Sequence, residues 1–248
     1  MAVLITRPDE RGKQLVEMLI QSGVFAIHLP LFTIESGREL NDLPNKLSQL
    51  KVGDYVFAVS PHAVTFAVQT LRHTGFSWRQ DLNYFAVGQR SAESFTAQIE
   101  RPVFYPNQQE TSEGLLNLPV MQQLADKTIL ILRGNGGREF FAEQAELRGA
   151  KVEIVECYQR IPIDYNNAEQ ISICKRAGIN RIVVTSAEIL QYLMDFVPEN
   201  EHNWLKNCQL ITISRRIANL AMAQGWTNIV ISPKADNHSL LQTLLSTN

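Results

Sequence analysis

The chain repeats itself at a fixed offset. Sliding the 248-residue sequence by 126 positions superimposes Arg7 on Arg133, Gly23 on Gly149, Ser60 on Ser186, Trp78 on Trp204, Arg90 on Arg216 and Ala97-Gln98 on Ala223-Gln224. The register holds without a gap from the first pair to the last, and apolar runs fall on apolar runs. Two copies of one pattern predict two similar lobes. The length permits it, because domains of roughly 100 to 150 residues each bury a core of their own.

Within each copy, short β-branched runs alternate with stretches of helical period. The runs are Val3-Leu4-Ile5, residues 55–59 and 84–87 in the first copy, and residues 129–132, 182–184 and 210–213 in the second. They read as strands buried on both faces, the pattern of a parallel sheet. Between them, Leu15 with Leu19, Leu190 with Leu193, Ile217 with Leu220 and Leu240 with Leu244 each mark one apolar helical face. The fold class predicted is α/β, two similar doubly wound parallel-sheet domains joined by a two-stranded extended linker.

The linker comes from Phe25 to Ile34 and Lys151 to Ile163, extended stretches at equivalent places in the copies. Both exceed the roughly 5 or 6 residues that an interior strand needs. Read as strands that run on into crossings, they give a discontinuous first domain of residues 1–34 plus 163–248 and a second of residues 36–161, with linker strands near 30–37 and 157–165. Each domain then has five strands. Division into contiguous halves is the alternative that the residues leave open.

Hydrophobic residues are 45% and charged residues 19%, proportions of a folding chain and not of a disordered one. Lys plus Arg numbers 23 against 25 for Asp plus Glu, a net charge of -2 that excludes a global basic field for nucleic acid. Any anion site is local. No apolar run approaches the roughly 18 residues of a membrane span, and the apolar run at the N-terminus is short for a signal peptide, so a cytoplasmic protein without membrane contact is expected. Cys157, Cys174 and Cys208 lack disulfide or metal-ligand spacing, so free buried thiols, no metal and no cofactor are expected.

In open parallel sheets ligands collect beyond the carboxyl ends of the strands, where helix N-termini present unpaired N–H groups. Residues at those places are Thr6-Arg7-Pro8, Ser60-Pro61-His62, Gly88 to Ser91, Arg133-Gly134-Asn135-Gly136-Gly137-Arg138, Thr185-Ser186 and Ser214-Arg215-Arg216. Hydroxyl, glycine and arginine dominate, and carboxylates are nearly absent. That profile suits a cleft for a polyanion, because Arg offers a planar fork to carboxylate or phosphate. Plainer roles compete: Ser60, Ser91, Thr185 and Ser186 as helix N-caps, and the arginines as solvated surface charges. His62 lacks the surroundings of a hydrolase base. Tyr158, at the end of a long extended run, is either a phenol facing the cleft or a buried aromatic with its hydroxyl satisfied.

The run Ile131 to Glu139, then Glu156-Cys157-Tyr158-Gln159-Arg160, then Val183-Val184-Thr185-Ser186 resembles uroporphyrinogen-III synthase of the bacterial type. Leu4-Ile5-Thr6-Arg7-Pro8, Pro30-Leu31, Ser60-Pro61-His62-Ala63-Val64 and Val87-Gly88 before Ser91-Ala92 agree with it, so the resemblance spans essentially the whole chain. It implies two α/β lobes with the N-terminal unit swapped into the lobe of the C-terminal third, which favours the discontinuous division. It also implies an enzyme of porphyrin and heme biosynthesis, a cyclising hydro-lyase. Its substrate would be the linear tetrapyrrole hydroxymethylbilane, with eight carboxylates, closed to uroporphyrinogen III with inversion of the terminal pyrrole ring.

From the same resemblance Tyr158 is expected to act as general acid on the departing hydroxyl. Arg7, Ser60, His62, Ser91, Arg133, Asn135, Arg138, Thr185, Ser186 and Arg215 are expected to contact the acetate and propionate arms. His62 stands where other members often carry Arg, and Ser214-Arg215-Arg216-Ile217 replaces a turn containing Gly and Thr. A monomer is expected, with transient contact to hydroxymethylbilane synthase as the conceivable partnership. Two rival readings are a non-catalytic two-lobed binding protein for an anionic metabolite and a phosphosugar- or nucleotide-processing enzyme using the loop from Arg133 to Arg138. Turnover separates the first from a synthase, and protection by phosphate esters separates the second.

Overall fold

The computed structural model describes residues 2–246. The first copy runs β1 (Ala2–Ile5), α1 (Glu10–Gln21), β2 (Phe25–His28), β3 (Phe32–Ser36), α2 (Leu43–Gln49), β4 (Tyr55–Ala58) and α3 (Pro61–Thr74). It closes with β5 (Asn83–Ala86), α4 (Gln89–Ile99), β6 (Val103–Phe104) and α5 (Ser112–Leu116). The second copy runs β7 (Thr128–Gly134), α6 (Phe140–Leu147), β8 (Lys151–Pro162), α7 (Asn167–Arg176), β9 (Arg181–Val183) and α8 (Ala187–Phe196). It ends with α9 (His202–Asn207), β10 (Gln209–Thr212), α10 (Arg215–Ala223), β11 (Ile229–Ile231) and α11 (Asn237–Ser246).

The offset of 126 found in the sequence also separates the first residues of β1 and β7, β2 and β8, β4 and β9, β5 and β10, and β6 and β11. One sheet has the order β11-β10-β9-β1-β2, and the other β6-β5-β4-β7-β8-β3. Replacing each strand by its counterpart turns the first order into the first five strands of the second. Each sheet therefore takes strands from both copies. The chain divides accordingly into unit 1, Met1–Ile34 with Ile161–Asn248, and unit 2, Glu35–Arg160.

Two expectations need correction. The sheet of unit 2 counts six strands where five were expected, because β3, which lies where a linker strand was expected near 30–37 and crosses the division of the chain at Ile34, adds to the edge of the 12-residue β8. The stretch from Phe25 to Ile34 is not one strand either: it breaks between β2 and β3 at Leu29-Pro30-Leu31, where proline has no N–H to give to a ladder.

In unit 1 the pleat sends alternate residues to opposite faces. Leu4, Ile182 and Leu210 pack with Leu190, Leu193 and Ile217 on one side. Val3, Ile5, Val183 and Ile211 pack with Leu15, Leu19, Leu240 and Leu244 on the other. That two-sided burial explains why the strands are apolar throughout. In unit 2, Phe57, Phe85, Ile129 and Ile131 pack with Phe141 and Ala145 of α6. α3 lies against β4 and β7. Its limits follow from its sequence: Ser60 caps the N-terminus, Pro61 opens the first turn, and Gly75 ends the helix at φ 70°, where a side chain would be strained.

Candidate active site

Because β8, β7, β4 and β5 are neighbours in the sheet of unit 2, their carboxyl ends bring Tyr158-Gln159-Arg160, Arg133 to Arg138, Ser60 to His62 and Gly88 to Ser91 into one row. All the strand pairs among them are parallel. A bulge shapes the row at Tyr158: Arg133 pairs with Glu156, but Gly134 pairs with Tyr158, so Cys157 is the extra residue of β8.

Tyr158 is 3% exposed. Its phenol oxygen accepts hydrogen bonds from Ser60 Oγ at 3.2 Å and from Arg160 Nη2 at 3.2 Å. The Arg160 guanidinium also lies 5.2 Å from the centre of its ring. His62 and Phe66 of α3 approach the ring at 5.7 and 6.4 Å between centroids. The second of the two expectations for Tyr158, a buried aromatic with its oxygen satisfied, describes these contacts. Both partners are donors, however, and an arginine has no acceptor to offer. Arg160 therefore cannot take the phenolic proton.

Asn135 braces this group. Its N–H donates to Tyr158 O at 2.8 Å, its Oδ1 accepts from Arg160 N at 2.8 Å, and its carbonyl accepts from Arg160 Nη1 at 3.1 Å. Ser60 Oγ meanwhile accepts from Ala63 N at 3.2 Å as the cap of α3. Capping and contact with Tyr158 are thus one arrangement and not alternatives.

The other arginines of the row are already engaged. Arg133 makes a forked pair with Glu139 at 2.7 and 2.9 Å, and Arg138 one with Glu113 at 2.5 and 3.1 Å. The Arg138 guanidinium beside Glu113 holds that carboxyl down at about 2, and Arg133 likewise lowers Glu139. Glu110 accepts from Gln89 N at 3.2 Å. The near absence of carboxylates from this row is therefore true of the strand ends and false of the folded site, because Glu110, Glu113 and Glu139 arrive from other segments. Ser91 is buried inside α4, and the cap there is Gly88.

In unit 1 the corresponding row is formed by the ends of β10, β9 and β1. Ser186 and Ser214 cap α8 and α10, accepting from Ile189 N at 3.1 Å and Ile217 N at 3.4 Å. Thr185 is half-buried and Arg215 exposed in the first turn of α10. Arg7 differs from its repeat partner Arg133. It is 3% exposed, and its Nη1 donates to Ala235 O at 3.0 Å and Asn237 Oδ1 at 2.9 Å, tying β1 to the segment before α11. Its guanidinium is engaged in the packing of unit 1.

Arg160, Phe66, Glu113 and Glu139 are not among the site residues expected from the sequence. For Arg160 a signal existed: two residues beyond Tyr158 on an extended strand, it falls on the same face. For the glutamates there was none, since only the fold brings them to the arginines.

Residues 13–242 match the family model described as uroporphyrinogen-III synthase HemD. The chain belongs to the uroporphyrinogen-III synthase family. It is 40% identical over 246 residues to the uroporphyrinogen-III synthase of Escherichia coli K12 and 42% identical to that of Salmonella typhimurium LT2, covering 98% of this chain and 100% of each relative. The family's activity, uroporphyrinogen-III synthase, is that of a hydro-lyase. Solved uroporphyrinogen-III synthases share the fold. A mutant enzyme from Thermus thermophilus has a TM-score of 0.74 at 15% identity with 99% of each chain covered, and the Helicobacter pylori 26695 enzyme 0.63 at 14% with 100% of this chain and 99% of the other. Among the described residues no helix is long and apolar enough to cross a membrane, and no cluster of His, Cys, Asp or Glu is placed to hold a metal.

Proposed function

We propose that this synthase acts on hydroxymethylbilane, with Tyr158 as the general acid that protonates the departing hydroxyl. The C–O bond breaks, water leaves, the pyrrole that bore the hydroxymethyl group, at the opposite end of the bilane from the ring to be inverted, becomes a protonated azafulvene, and Tyr158 becomes a phenolate. The observation that carries this reading is the phenol oxygen of Tyr158, which receives a hydrogen bond from the Arg160 guanidinium and shares one with the Ser60 hydroxyl. A proton source held in that way suits transfer to a bound group.

Selectivity is the harder task. The bilane closes unaided to the non-inverted isomer, so the enzyme must present the substituted carbon of the terminal ring to the electrophile and exclude the competing geometry. Positioning of this kind contributes roughly 7 to 11 kcal/mol in favourable cases. For it we assign Ser60, His62, Asn135, Arg133 and Arg138 in unit 2, and Thr185, Ser186 and Arg215 in unit 1, as contacts for the carboxylate arms. Ser91, being buried, is left out of that set.

The test is to feed purified protein freshly generated hydroxymethylbilane, oxidise the products and separate the porphyrin isomers by chromatography. Isomer III in excess of isomer I is expected from the native protein. Tyr158→Phe is expected to lower turnover by about 10- to 100-fold, the lower range of a general acid's contribution, with the fold retained and stability lowered by about 1–3 kcal/mol for the donors left unpaired. Native turnover in that variant removes Tyr158 from the mechanism.

A further inference from the structure

We propose that Arg160 is a positioning residue for the proton transfer, acting through Tyr158 and not through the substrate. The proposal deepens the assignment of Tyr158 as general acid and rests on it.

The geometry supplies the direction of the transfer. Ala63 N–H donates to Ser60 Oγ at 3.2 Å, Ser60 donates to the phenol oxygen at 3.2 Å, and Arg160 Nη2 donates to the same oxygen at 3.2 Å. Arg160 Nη2 takes one acceptor position of the phenol oxygen, so the phenolic proton points away from the guanidinium. Arg160 cannot reverse its part, since a guanidinium holds no acceptor, whereas a serine hydroxyl can rotate. Arg160 is therefore the partner that can only donate to the phenol oxygen.

The second consequence concerns charge. As the O–H bond of Tyr158 breaks and the new O–H bond of water forms, negative charge grows on the phenol oxygen. A cation already 3.2 Å away and a serine donor meet it without rearrangement. The fork is fixed in advance: Arg160 Nη1 is held by Asn135 O at 3.1 Å and Arg160 N by Asn135 Oδ1 at 2.8 Å. The lysine ammonium, a point donor, would supply the charge without the planar fork.

A double-mutant cycle in kcat tests the proposal, with Arg160→Met, Tyr158→Phe and the two combined. Arg160→Met is expected to lower kcat by roughly tenfold, less than the ~100-fold of removing a sole donor because Ser60 remains, and to change KM less than about twofold. In the Tyr158→Phe background the same change is expected to cost nothing further, since there is no phenol left to direct. Arg160→Lys is expected to recover part of the loss, and it carries the same cycle if the Met variant does not fold. Equal losses in both backgrounds, or a raised KM with kcat intact, make Arg160 a substrate contact and overturn the proposal while leaving Tyr158 as the acid. Full activity of Tyr158→Phe alone overturns both.

Discussion

Gly134 lies directly beneath the ring of Tyr158: a Cβ at residue 134 would stand 2.5 Å from both Cε2 and Cζ of the phenol. No side chain fits there unless the ring moves. The bulge of β8 sets Tyr158 opposite Gly134 in the ladder, so the absence of a side chain at 134 leaves beside β7 the space that the phenol ring occupies.

Gly134→Ala is accordingly expected to push the ring out of its place. Overpacking of this kind typically costs about 1–3 kcal/mol. Urea unfolding reads that loss, and a fall in kcat at least as large as that of Arg160→Met is expected beside it. Unchanged stability and turnover would falsify the close approach.

The pair of Arg133 and Glu139 bears on substrate affinity. Glu139 holds the guanidinium that the proposed function gives to a substrate carboxylate, so binding must displace an internal carboxylate first. Glu139→Gln is expected to lower KM by up to about fivefold, the equivalent of roughly 1 kcal/mol for an exposed pair, with the gain shrinking in high salt. A KM that does not move would mean that Arg133 does not meet the substrate.

Glu113 gives a pH dependence of definite sign. Its carboxyl falls from an ordinary 4.5 to about 2 because Arg138 hydrogen-bonds it. A depressed acid contributes stability that is present in full above the unfolded value and is lost as the pH falls through the folded one. The two side chains are 38% and 44% exposed, so solvent screening limits the contribution to about 1 kcal/mol or less. The stability difference between wild type and Glu113→Gln is expected to be constant from pH 7 to about 5 and to vanish toward pH 2. Chemical denaturation across that range measures it; a difference growing on the acid side contradicts the pairing.

All three cysteines are buried. Burial pushes the Cys157 thiol up to about 12, and Cys174 and Cys208 to about 11. At pH 8 the reactive thiolate is then roughly one part in a thousand or less. Ellman's reagent is expected to find no thiol in the native protein and three after unfolding in guanidinium chloride. Rapid reaction of the folded protein would contradict this burial.

The sequence by itself determined the interior strands, four of the helical faces and the repeat, because period and register are local properties that two-sided burial writes directly into apolar runs; the short edge strands β6 and β11 lie outside what it marked. It also determined which residues follow the strands, and so placed Ser60, Asn135 and Tyr158 among the candidates. Tertiary structure decided what those residues do to one another. Arg7 and Arg133 are equivalent in the repeat, yet one is buried against Ala235 and Asn237 and the other pairs with Glu139. Their neighbours come from distant segments that the repeat does not constrain. The convergence of Ser60, Gly134 and Arg160 on one phenol likewise depends on strand order and on a single extra residue in β8, and neither is written in the period of the chain.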